Sequence, residues 1–131
     1  MFDPRWNQLG DILVNYSTRI QAGERLLITM MEADTLPLTV AVYEQAIKAG
    51  ALPQIQFTSA YLERSLMTFG SADQIDWVPE LERYGMEWAD AYIGLRGARN
   101  PNEFAEVPAD RLAAHKRAMG VVSGLRNEHT R

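Results

Sequence analysis

Arg25-Leu26-Leu27-Ile28-Thr29-Met30 is the stretch on which the fold turns. It is a short apolar run, delivered by the turn Gln21-Ala22-Gly23-Glu24, and its length suits a buried strand better than a helix. Upstream, Trp6, Leu9, Ile12, Leu13 and Tyr16 recur at helical spacing from Pro4 to about Thr18, with Asp3 placed to cap and Pro4 at the first helical position. Downstream, Asp34 or Thr35 can cap a second helix that carries Leu36, Val40, Tyr43 and Ile47 on one face, and Gly50 stands at its left-handed end. Leu52 to Phe57 is a second strand, with Pro53 near its start, where a missing backbone donor does least harm.

The rest of the chain continues the alternation. Tyr61 to Phe69 reads as a short helix, and a further helical segment from Ser71 towards Ala89 is interrupted near Pro79. Asp90 to Arg96 is a third strand, Gly97-Ala98-Arg99-Asn100-Pro101-Asn102 has loop chemistry, and Pro108 to about Arg126 is helical. Strands separated by helices imply parallel pairing through right-handed crossovers. The expected fold is therefore a small three-layer α/β domain with a mainly parallel sheet and helices on both faces.

Composition narrows the chemistry. The chain has 131 residues, a length that suits one domain, and 47% of them are hydrophobic. With 13 basic and 17 acidic residues and a formal charge of −4, nothing draws it to nucleic acid or to an anionic membrane. It has no cysteine, so disulfides, zinc thiolates and cysteine nucleophiles are excluded. Met1-Phe2-Asp3-Pro4-Arg5-Trp6 is no signal sequence, and a cytoplasmic location is expected.

In open parallel sheets ligands bind beyond the carboxyl ends of the strands, which selects the loops 31–34, 58–61 and 97–102. Their candidate residues are Glu32, Asp34, Arg96, Arg99 and Asn100. Either Arg96 or Arg99 grips a carboxylate or a partner surface, or they pair with Glu32, Asp34 or Glu103 and merely order the loops. The loop after the first strand has two acids where a nucleotide fold needs glycines, so phosphate is disfavoured. His115 and His129 are the only histidines and form no metal-ligand pattern, which leaves His115 as a helix-surface or interface residue. Glu80, Glu82 and Glu87 near Trp77, Tyr84 and Trp88 read either as a carboxylate site or as a solvated face beside buried aromatics. Gly120 and Gly124 in the last helix each cost about 1 kcal/mol relative to alanine, pointing to close packing against another element or to a frayed end.

Several segments carry a resemblance. Leu13-Val14-Asn15-Tyr16-Ser17, then Gln21 to Ile28, Val42 to Pro53 and Ala89 to Gly97, resemble the amino-terminal part of the thermophilic metallo-aminopeptidases, the aminopeptidase T family. The resemblance implies that residues 1–131 are an amino-terminal α/β domain preceding a larger catalytic domain. In the family that second domain holds a pair of divalent metals (Co, Zn or Mn) on Glu, His, Tyr and Asp side chains, and a homodimer encloses the active site. None of those motifs aligns with a residue here, so no catalytic, cofactor or metal residue is carried over. The implied role is to shape substrate access and support packing and dimerisation of an enzyme that trims peptides, with this chain inactive by itself. The alternative is an independent α/β binding or interaction module.

Overall fold

The computed structural model describes residues 3–98, 100 and 102–130. The first helix, α1 (Pro4–Asp11), is capped by the Asp3 carboxylate, which accepts from Arg5 N–H, and it runs on as a π-helical turn over Ile12–Ser17. Next come β1 (Arg25–Met31), a 3₁₀ turn (Ala33–Thr35), α2 (Leu36–Lys48) and β2 (Leu52–Thr58). The segment after β2 forms α3 (Ala60–Phe69), α4 (Ala72–Asp76) and α5 (Glu80–Trp88), followed by β3 (Ala91–Arg96) and α6 (Ala109–His129). The expected α/β architecture is what the chain adopts: a parallel sheet in the order β2-β1-β3, with Leu26 opposite Pro53 on one side and Ala91 on the other.

Local chemistry explains most boundaries. Gly50 ends α2 at φ +82°, a conformation without steric cost only for glycine. Ser71 and Gln74 form a reciprocal capping box at the start of α4. The break expected near Pro79 separates α4 from α5. Two expectations need correction. Neither Asp34 nor Thr35 caps α2 with its side chain; the Thr35 hydroxyl instead donates to Glu32 O at 2.8 Å. Asp90 lies before β3, where its carboxylate takes Arg25 N–H at 2.9 Å and so ties the starts of the two strands together.

Each face of the sheet has its own core. On one side Leu26 and Ile28 meet Val14, Val42 and Ala46 from the π-helical turn and α2. On the other, Leu27 packs with Met86, Ala89 and Val122 from α5, the residue after it, and α6. Alternation along β1 thus sends successive side chains into different layers. The helix α6 also braces α3, because Arg111 Nη1 donates to Met67 O at 2.9 Å and to Gly70 O at 2.8 Å. As an edge, β2 is less protected, and Leu52, Ile55 and Phe57 are all exposed. No helix among the described residues is long and apolar enough to cross a membrane.

The packing expected at Gly120 and Gly124 is not made within this domain. Beyond the adjacent residues and backbone of its own helix, a Cβ at either position would meet no heavy atom within 4 Å. Without a close neighbour, only the backbone cost of glycine remains. Gly120→Ala and Gly124→Ala should therefore each raise the stability of the chain by up to about 1 kcal/mol in urea denaturation. A loss of stability in either variant would contradict the open environment.

Candidate functional site

The three strand-end loops converge as the topology requires. They line a pocket of about 550 Å³ together with the start of α3 and the segment around Glu103 and Phe104. Glu32, Asp34 and Asn100 are all on its wall. Arg96 is exposed at the end of β3 and makes no ion pair among the described residues. Arg99 lies outside the described residues.

Glu32 organises this end of the sheet. Its backbone sits at φ 85°, ψ 146°, a region that side-chain-bearing residues rarely enter and that costs about 1–3 kcal/mol. Several bonds hold it there. Its amide donates to Thr58 O at 2.9 Å, and its carbonyl accepts from both the amide and the hydroxyl of Thr35. Its carboxylate accepts from Ala60 N–H at 2.6 Å and from the Ser59 hydroxyl at 3.3 Å. The carboxylate therefore sits at the amino end of α3, where free N–H groups and the helix dipole favour a negative charge.

Asp34 does the corresponding work for the loop after β3. One carboxylate oxygen accepts from Ala98 N–H at 3.0 Å, and the other lies against Gly97. A Cβ at Gly97 would collide with that oxygen and come within 2.8 Å of Met31 O, so only glycine lets the loop pass this close to β1. Asn100 folds its own turn by accepting from Asn102 N–H at 2.9 Å.

The acids thus order the loops, and among the described residues Arg96 takes no part in this. Backbone N–H groups take Glu32 and Asp34, and Glu103 pairs with Arg64, whose Nη1 lies 2.8 Å from Glu103 Oε1. Arg64 also stacks over the Tyr61 ring, with its Cζ 5.6 Å from the centroid. Neither Arg64 nor Tyr61 was singled out by sequence, because α3 carries no local sign that its first turns face the strand ends.

Two other readings are narrowed. Of the surface and interface alternatives for His115 the second holds: its side chain is only 12% exposed, and Nε2 lies 3.7 Å from Glu63 Oε1. Of the three acids around α5, Glu80 and Glu87 are exposed, as a solvated face requires, whereas Glu82 turns into a cleft with His115. Burial pushes the Glu82 carboxyl above its ordinary range, the charge of Glu63 adds to the rise, and His115 opposes it.

The double role of Glu32 gives a test with an unusual order. Glu32→Ala loses the carboxylate and keeps the backbone strain, whereas Glu32→Gly loses the carboxylate and relieves the strain. Both should destabilise the chain in urea denaturation, with alanine worse than glycine by about 1 kcal/mol. Elsewhere in a protein the order is usually the reverse.

Comparison with known proteins places this geometry. Residues 2–130 match the family model described as thermophilic metalloprotease (M29). No curated protein sequence matches the chain. Among solved structures, wild-type AmpT from Thermus thermophilus is similar in fold, with a TM-score of 0.77 at 15% identity. That alignment covers 95% of this chain and 32% of the AmpT chain, so the present chain spans about a third of its length. With the family model running over nearly every residue, the chain belongs to the thermophilic metalloprotease (M29) family.

Proposed function

We propose that this chain is the amino-terminal, non-catalytic domain of a metal-dependent aminopeptidase that removes amino-terminal residues from peptides. The observation that carries the reading is the pairing of a family match over residues 2–130 with a structural match to only 32% of AmpT. The AmpT chain extends well beyond the third that is matched here, and on this reading the reaction chemistry belongs to a further domain of that kind.

The carboxylates of the strand-end rim do not fit a catalytic metal pair. Glu32 is engaged by the amino end of α3, Asp34 by Ala98 N–H and Glu103 by Arg64. Among the described residues no group of three or more His, Asp or Glu side chains is arranged to hold a metal ion. On this reading cobalt, zinc or manganese belongs to residues of the catalytic domain, where such a metal activates water and polarises the scissile carbonyl. No step of that chemistry is assigned to this chain.

What the domain contributes is surface and order. The strand-end rim of Glu32, Asp34, Arg96 and Asn100 borders the route of the peptide substrate, and the outer face of α6 at Gly120 and Gly124 receives the catalytic domain or the second subunit of a homodimer. A cytoplasmic setting agrees with the absence of cysteine.

The test is aminopeptidase activity on amino-acid anilides with added Co²⁺, Zn²⁺ or Mn²⁺, comparing these 131 residues with a longer product of the same gene. Activity should appear only in the longer product. Metal-dependent activity of the 131-residue chain alone would overturn the assignment. In the longer product Gly124→Leu should weaken the dimer or the domain contact, read by sedimentation, while the stability of the isolated chain stays within about 1 kcal/mol.

A further inference from the structure

A second cleft, of about 240 Å³, shares Thr58, Ser59 and Glu63 with the strand-end pocket and is lined by α3, α5 and α6. Its walls are mainly apolar, with Leu62 and Leu66 from α3, Met119 from α6, and Phe57 and Trp77 beside them. Three titratable side chains enter it from three different helices: Glu63 from α3, Glu82 from α5 and His115 from α6. The remaining lining, from the end of β2 and the segment around Pro79, brings no charge.

The charge count is unbalanced. Two carboxylates face one imidazole, so even with His115 protonated the cleft keeps one negative charge in excess. An ionised carboxylate against apolar walls is costly when it lacks a cationic partner. The pressure on Glu82 towards its neutral form is the local expression of that cost. A ligand bringing a positive charge would relieve it.

The walls decide which cation fits. A metal ion needs several converging hard donors, and no such group exists among the described residues. An organic ammonium instead matches both halves of the cleft, its head meeting carboxylates and its body the leucines, with the Trp77 ring available to a nearby cation. A cavity of about 150 Å³ accepts benzene, so the larger volume here accommodates a phenyl ring with a two-carbon amine arm. We propose that this cleft binds a small primary ammonium bearing an apolar group, with its head on the Glu63 and Glu82 carboxylates and its body against Leu62, Leu66 and Met119. The inference does not depend on the aminopeptidase reading, since it concerns residues of this chain alone.

The experiment is titration of the chain with phenethylammonium, followed by amide shifts in two-dimensional NMR at pH 7.5, against 2-phenylethanol as the uncharged ligand of similar shape. Phenethylammonium should saturate, shift amides of α3, α5 and α6, and bind at least about tenfold more tightly than the alcohol. Glu63→Gln and Glu82→Gln should each weaken it about tenfold, and Glu87→Gln, exposed on the same helix as Glu82, should leave it unchanged. Acidification should weaken binding, because Glu82 takes up its proton at a higher pH than an ordinary glutamate. Equal affinity for the alcohol, shifts that do not saturate, or undiminished binding by the two glutamine variants would overturn the proposal. Should Glu82→Gln fail to fold, Glu63→Gln carries the same test from α3.

Discussion

The structure depends on β1 being buried on both faces. Leu26, Leu27, Ile28 and Thr29 are all buried, and alternate side chains enter opposite cores. A strand in that position cannot be an edge, so both its backbone sides must be paired, and β2 and β3 supply the partners. Parallel pairing then requires crossovers, and the helices of those crossovers cover the two faces. The convergence of the three loops follows from the same constraint, because parallel strands deliver their carboxyl ends to one rim.

This is also why so much of the architecture could be read from residues 25–30. A continuous apolar run between turn residues reports burial on both faces without needing a partner to be known. Gly50 and the Pro79 break were legible for a similar reason, since the backbone restrictions of glycine and proline act locally. What could not be read were pairings across the fold. Glu103 meets Arg64, and Glu82 meets His115 and Glu63, through the placement of α3, α5 and α6, which no local pattern encodes. Glu32, Asp34 and Asn100 do meet on one pocket wall, yet the groups that engage them are mainly backbone N–H groups. Sequence displays side chains, and the amides that receive these carboxylates appear only when strand ends and helix starts come together.

The two clefts on this side of the domain differ in what has already been done with their charge. At the strand ends the carboxylates are consumed in holding loops, and Glu32 tolerates an unfavourable backbone in order to reach α3. Between α3, α5 and α6 the carboxylates face apolar surface, with His115 as a partial counterweight. Glu63 borders both, so the two parts of the acidic surface meet at one residue.

The exposed edge at β2 has a consequence for the lone chain. Gln54-Ile55-Gln56-Phe57-Thr58 is uncharged, rich in strand-forming side chains and free of proline, and among the described residues no strand lies beside its outer backbone groups. Natural sheets guard such edges with charge, bulges or cover. Here Pro53, at the second position of the strand, withholds a single donor and leaves the remainder able to template another strand. A lysine among these five residues, which contribute little to either core, would guard the edge without disturbing the packing inside the domain.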